Sequence, residues 1–480
     1  NLETQNTSKK SFSVPEEELE KQKEYIQLVT TVLSSRFPSS APKAFVHTYG
    51  CQGNVADGEK LKGILCSLGY ELTENVEDAD LVLYNTCAIR EHAQDRVFGN
   101  VGALKRYKTA KPDMIIALCG CMMQQEYVAE KIKKSFRYVD IVFGTHVLHK
   151  LPEFIYNCLC CGKRVFDLSG GDGNIIEGLP VRRDGAFKAW VPIMYGCNNF
   201  CSYCVVPYVR GRERSRDFEL VVEEVRHLVK AGYKEITLLG QNVNSYNKDK
   251  PENFRFPALL RAVNDLEGDF IIRFMTSHPR DCTGELLETM ADCKKVAKHL
   301  HLPVQSGNDR VLREMNRHYD REKYLGLIKY AYELMPELSV TSDIIVGFPG
   351  ETYEEFCDTL SLLEEVKYTS LFTFIFSPRP GTKAAAMADE VPKKEKSRWF
   401  RELTDLQEKI ASQRTSAMRG KEYRVLIEER NENTGLLSAR TEGNVIIEFE
   451  GGDDLIGQFA VIEVTEPKTW ILKGKFIKLG

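Results

Sequence analysis

Between residues 43 and 376, short apolar runs of strand length alternate with stretches of helical periodicity, in two separate series. No other feature limits the fold as much. A strand followed by a helix before the next strand pairs in parallel, and the helices must then cover the sheet. The first series has strands at 44–48, 81–84, 114–118 and 141–143, with helices at 55–68, 93–107 and 122–134. It predicts an open parallel sheet with helices on both faces. The second has strands at 190–194, 235–239, 270–274, 300–304, 339–346 and 371–376, separated by helical patterns such as 218–231 and 353–366. Six such units suit a partial parallel barrel, open at one side, with its ligand site at the carboxyl ends of the strands.

The remainder is organised around these two series. Residues 1–42 form a helical appendage that starts after Ser13 and Pro15 and ends at Pro38 and Pro42. Residues 150–186 lack periodicity and are rich in glycine around Gly170, Gly171 and Gly173, so they read as a linker. After a charged helical stretch (399–418), residues 423–427, 444–449 and 459–464 alternate with period two and predict a small antiparallel barrel. The expected segments are 1–42 (appendage), 43–160 (open sheet), 161–182 (linker proper), 183–415 (barrel) and 416–480 (small barrel), an α/β chain overall.

Composition narrows the class of function. The 480 residues are 42% hydrophobic and 28% charged, as in ordinary globular proteins. The apolar runs fall short of a membrane span, and no targeting peptide is visible, so the expected location is the cytoplasm. Fourteen cysteines without an export signal point to a reducing compartment and to metal or catalytic use. Net charge is −4, so a nucleic-acid partner must be met by a local patch. From residue 421 to 480 there are eight Lys/Arg against eleven Asp/Glu, which leaves only a local face such as Lys468, Lys473, Lys475 and Lys478.

The cysteines carry the chemistry. Cys197, Cys201 and Cys204 have C-x-x-x-C-x-x-C spacing just after an apolar strand. Three thiolates cannot all pair, and neither a fourth Cys nor a close His completes a tetrahedral zinc site. Three cysteines on an iron–sulfur cubane leave one iron open to a ligand. Cys51, Cys87 and Cys121 each lie just past one of the first three strands. In a parallel sheet these ends share one edge, so the three are candidates for a second cluster. Cys119 could share that crevice, but Cys121 follows Gly120 and is preferred. Cys66, Cys282, Cys293 and Cys357 read as packing residues, and Cys158, Cys160 and Cys161 as free thiols in the linker.

The predicted mouth of the barrel is polar. Its strands end at Gln241, at Ser277 and His278, and at Gln305, and Asp343 lies on the fifth. These amides, hydroxyls and acid could bind a ribose, an amino group and a carboxylate; His278 reads as a loop hydrogen-bonder. Arg210, Arg212, Arg214 and Arg216 put four arginines into seven residues and are candidate phosphate contacts to a nucleic acid.

Together these pieces resemble the radical S-adenosylmethionine (SAM) methylthiotransferase family, specifically its tRNA-modifying MiaB type. The resemblance covers about residues 43–480, and the motifs 85–91, 239–244 and 276–279 resemble the isopentenyladenosine branch. It implies two 4Fe-4S clusters, an auxiliary one on Cys51, Cys87 and Cys121 and a radical SAM one on Cys197, Cys201 and Cys204. It also implies SAM contacts from Tyr203, Gln241, Ser277, Gln305 and Asp343, and a C-terminal TRAM domain. The implied activity places sulfur and a methyl group at C2 of N6-isopentenyladenosine next to the anticodon, with SAM as both radical source and methyl donor. The implied partners are the tRNA anticodon stem-loop and a flavodoxin-type reductant, with the sulfur donor open, for a monomer that does not meet a membrane. Methylthiolation of threonylcarbamoyladenosine or of a ribosomal-protein aspartate is the alternative within the family. A non-catalytic iron–sulfur RNA-binding protein is the alternative outside it.

Overall fold

The computed structural model describes residues 13–88, 91–170, 173–252 and 254–480, without the side chains of residues 91–93. Residues 1–12 of the appendage, Ile89 and Arg90 after Cys87, and Gly171 and Asp172 in the glycine run lie outside the described residues. The chain divides into two units. One holds residues 1–184, 195–198 and 206–214, and the other holds 185–194, 199–205 and 215–480.

In the first unit, β1 (Lys43–Thr48), β2 (Glu71–Leu72), β3 (Leu81–Thr86), β4 (Ile115–Gly120), β5 (Ile141–Phe143) and β6 (Val165–Asp167) form one parallel sheet in the order β2-β1-β3-β4-β5-β6. Strand alternation divides the side chains between two apolar layers. Leu81, Leu83, Ile115 and Ala117 pack with α1 (Glu16–Arg36), α2 (Gln52–Ser67) and α5 (Leu151–Cys161). On the opposite face Val82, Tyr84, Ile116 and Leu118 pack with α3 (Glu91–Ala110) and α4 (Glu126–Ser135). Helices therefore cover both faces, as the alternation predicts.

Two features of this unit depart from the sequence reading. Residues 151–161 are helix α5, not linker: Leu151, Phe154 and Ile155 are buried at helical spacing, and Gly162 ends the helix at φ +59°. Cys158, Cys160 and Cys161 lie on this helix as free thiols. β6 then adds a strand beyond the expected last one. The appendage is tied down by α1, whose Val29 and Leu33 are buried in the core and whose Gln22 donates to Glu153 at 3.0 Å.

In the second unit the strands Lys188–Pro192, Glu235–Leu239 and Ile271–Phe274 form one parallel sheet, and His299–His301, Ser339–Val346 and Ser370–Ile375 form another. A parallel bridge from Ile272 to Val296 joins the third strand to the approach of the fourth. Among the described residues the first and sixth strands do not pair, so the barrel is open.

Residues 422–479 form a closed five-stranded barrel that seals the amino ends of these strands. Arg273 bonds Glu235 at 2.7 Å and donates to the carbonyls of Thr441 and Glu442 at 2.8 Å each. Phe187, Ile271, Ala297, Leu426 and Phe459 form an apolar seam beside it. This leaves the carboxyl ends of the large barrel as the candidate site. The small barrel is mixed where purely antiparallel pairing was expected, because Ile446–Phe449 pairs in parallel with Ile471–Leu479. No helix among the described residues is long and apolar enough to cross a membrane.

Candidate active site

Cys51 directly precedes α2, Cys87 follows β3 and Cys121 follows β4, and β1, β3 and β4 are neighbours in the sheet. Two glycines make the close approach possible. A Cβ on Gly50 (φ +110°) would fall 2.6 Å from the Cys87 sulfur, and one on Gly120 (φ +94°) 2.4 Å from the Thr86 carbonyl. Asn54 on the first turn of α2 is fully buried and donates to the Tyr49 and Thr86 carbonyls at 3.0 and 2.8 Å. Those bonds fix its oxygen 3.9 Å from Cys51 Sγ and 3.6 Å from Cys121 Sγ.

Arg210 comes from the short helix Val206–Arg210. Its Nε lies 3.1 Å from Cys121 Sγ, and its Nη2 lies 2.8 Å from both Asn54 Oδ1 and Asp57 Oδ2. Burial pushes the Cys121 thiol up to about 12, against the pull of Arg210. Burial also opposes the charge on Arg210, but Cys121 and Asp57 together hold its pKa well above the usual value.

The second set of cysteines is carried by the loop 197–204, where Cys197 and Cys201 are buried and Cys204 is half-buried. Cys197 N–H donates to the Gly211 carbonyl at 3.1 Å. In the second unit the buried Arg317 sets its Nη1 3.2 Å from Cys201 Sγ, while its Nε and Nη2 bond Tyr319 Oη at 2.9 Å and the Pro303 carbonyl at 2.7 Å. Asn316 donates to the Phe200 carbonyl at 2.9 Å, which holds Phe200 at φ +48°.

Two further strand-end residues, Thr276 (φ +66°) and Gln305 (φ +74°), are also left-handed, a strain that cores rarely carry and binding sites often do. Gln305 is locked by bonds to the Asp343 carbonyl and the Ile345 amide. Asp343 Oδ1 lies 3.5 Å from His301 Nε2; burial raises the Asp343 pKa, and His301 and Arg317 oppose the rise. Register places Phe372, half-exposed, beside Asp343 on the same sheet face.

Comparison with known families matches residues 191–363 to the radical SAM superfamily, residues 43–144 to the uncharacterized protein family UPF0004 and residues 416–477 to the TRAM domain. Among curated proteins, the tRNA-2-methylthio-N(6)-dimethylallyladenosine synthase of Thermoanaerobacter sp. (strain X514) is 47% identical over 97% of this chain and 98% of its own. The synthase of the same name from Acetivibrio thermocellus is 45% identical over 98% of each chain. That of Caldicellulosiruptor saccharolyticus is 49% identical over 90% of this chain and 91% of its own. The chain belongs to the tRNA-2-methylthio-N(6)-dimethylallyladenosine synthase family. Among solved structures, the radical SAM methyltransferase TsrM from Kitasatospora setae matches with a TM-score of 0.52 at 14% identity, over 72% of this chain and 75% of that one, a likeness of fold alone.

Membership of the radical SAM superfamily implies a 4Fe-4S cluster and SAM, and the donors present suit both. Among the described residues no three His, Cys, Asp or Glu side chains converge on a point that would hold a single metal ion. A cubane asks for something else, since each thiolate binds a different iron. Around the barrel mouth, several buried polar atoms have no partner among the described residues: Ser202 Oγ, Asn242 Oδ1, both amide atoms of Asn244, Ser277 Oγ and His278 Nε2. Buried polar groups of folded proteins are nearly always satisfied, so this cluster calls for a polar ligand. Ser277 and Gln305 are buried there, and Tyr203, Gln241 and Asp343 are partly exposed. His278 accepts from the Arg280 amide and is held neutral by burial, with Arg317 and Arg280 adding to the effect.

Members of the family need to grip RNA, but three of the four arginines expected to do so face inward. Arg210, Arg214 and Arg216 are 6%, 2% and 7% exposed. Arg210 is bound as above, Arg214 donates to the Arg210 and Arg212 carbonyls, and Arg216 pairs with Glu224 at 2.8 Å. Their protein partners take the hydrogen bonds that a phosphate would have used. Only Arg212 of the four is exposed. On the small barrel, Lys468 and Lys473 pair with Glu466 and Glu448. Cys119 lies on the strand face of Ile115 and Ala117, inside the core. The sequence reading passed over Asn54, Asp57, Arg317 and Phe372. Only Asn54 and Asp57 carried a signal, as two polar residues one turn apart just after Cys51.

Proposed function

We infer that this chain is a tRNA methylthiotransferase that converts N6-isopentenyladenosine beside the anticodon to its 2-methylthio derivative. Near-half identity over almost the entire length of relatives bearing that name carries the inference. In this reading Cys51, Cys87 and Cys121 would hold an auxiliary cluster and Cys197, Cys201 and Cys204 the radical SAM cluster. When bound, the clusters and SAM supply one-electron cleavage of SAM, the sulfur atom and the methyl group, chemistry beyond any side chain at an unactivated aromatic carbon.

The chain's own residues position and shield. Gly50 and Gly120 let three strand ends close together, and Asn54 spaces two of the thiols. The partnerless amide of Asn244 and hydroxyl of Ser277 would orient the polar groups of SAM, and Asp343 would accept from its hydroxyl or amino group. Phe372 offers a half-exposed aromatic face on which a splayed base would stack. A flavodoxin-type reductant would deliver the electron.

The test separates the two cysteine sets. Cys197→Ala should abolish 5′-deoxyadenosine formation, whereas Cys87→Ala should retain it yet yield no methylthiolated nucleoside in digested tRNA. Normal methylthiolation by the Cys87 variant would overturn the assignment.

A further inference from the structure

Arg210 stands in an arginine-rich run beside a catalytic loop, where solvent-facing guanidinium groups are the ordinary outcome. Its side chain is instead 7% exposed, and that of its partner Asp57 is 6% exposed. Stability does not account for the arrangement, because a buried ion pair is on average no better than apolar residues of the same volume. Geometry offers another reason. The guanidinium is a rigid planar fork, so fixing one edge aims the other. Nη2 is held at 2.8 Å by both Asn54 Oδ1 and Asp57 Oδ2, and Nε then points at Cys121 Sγ from 3.1 Å. Asn54 is in turn fixed by the carbonyls of Tyr49 and Thr86, which flank Cys51 and Cys87. The arginine is thus referenced to all three strand ends.

We propose that Arg210 is a positioning residue for the auxiliary cluster, aimed by Asn54 and Asp57 so that its Nε–H bonds the Cys121 thiolate and sets the cluster's reduction potential. The proposal rests on the two-cluster reading above. A hydrogen bond and a positive charge at a ligand sulfur favour the more electron-rich state, so Arg210 raises the potential and Asp57 restrains that rise.

The experiment uses the full chain carrying Cys197→Ala, Cys201→Ala and Cys204→Ala, reconstituted anaerobically, so that the auxiliary cluster alone is observed. Iron and sulfide content, the electron paramagnetic resonance spectrum and the midpoint potential are compared after adding Arg210→Gln, Arg210→Lys or Asp57→Asn. The expected result is a lower midpoint for Arg210→Gln, a smaller fall for Arg210→Lys and a higher midpoint for Asp57→Asn, with changed g-values in all three. If Arg210→Gln does not load, the opposite signs of Arg210→Lys and Asp57→Asn decide. Full iron loading with unmoved midpoints, or shifts of one sign in all variants, would overturn the role of Arg210 alone. Absence of iron from the parent would overturn the two-cluster reading and this proposal with it.

Discussion

Glu351 gives the barrel a pH dependence of stability that can be worked from the structure. Its side chain is 2% exposed, and one carboxylate oxygen accepts from the amides of Gly347 and Phe348 at 2.7 and 3.1 Å. Burial pushes its pKa up from 4.5 to about 7, and the two amides pull the other way. The folded protein therefore holds this proton more tightly than the unfolded chain, so the contribution is fully present below pH 4.5. It is lost as pH rises through about 7. At 1.36 kcal/mol per pKa unit the loss amounts to about 3 kcal/mol. Glu351→Gln keeps an acceptor for both amides and removes the titration. The measured quantity is the difference in unfolding free energy between variant and parent, from urea titrations at pH 4.5, 6 and 8. It should move in the variant's favour by about 3 kcal/mol across that range, equivalent to several degrees in Tm. A difference independent of pH would refute the reasoning, because it would mean that the buried carboxyl ionises as readily folded as unfolded.

Three other outcomes follow from the same geometry. Gly50→Ala puts a methyl group 2.6 Å from Cys87 Sγ at φ +110°, so reconstituted iron should fall to the level of Cys87→Ala while SAM cleavage persists. Arg273→Ala leaves Glu235 buried without its 2.7 Å ion-pair partner and removes one donor from each of the Thr441 and Glu442 carbonyls. It should cost about 3–5 kcal/mol in urea and expose residues 416–480 to early proteolysis. Arg212→Ala should weaken tRNA binding with a shallower salt dependence, whereas Arg216→Ala should act on stability through its lost pair with Glu224, read as a lower Tm.

What the sequence made legible was the part of the fold that repeats. Strand–helix alternation is a local signal, and parallel pairing follows from it, so the shared edge carrying Cys51, Cys87 and Cys121 could be placed without coordinates. Helix α5 was missed although Leu151, Phe154 and Ile155 have the right spacing, because three cysteines and the glycines beyond them drew the reading toward a linker. The mixed pairing in the small barrel was not legible either, since period-two alternation is the same in parallel and antiparallel strands.

The arginines show where local reading stops. Arg210, Arg212, Arg214 and Arg216 alternate as an exposed basic ribbon would, yet three of them are buried. What decides is the partner: Asp57 is 153 residues from Arg210, and Asn54 is 156 residues away. A run of charge reports which side chains are available, and only tertiary contact determines whether they meet solvent, a carboxylate or a sulfur. For this chain the consequence is chemical, because the arginine that composition assigns to RNA is the one that geometry aims at Cys121.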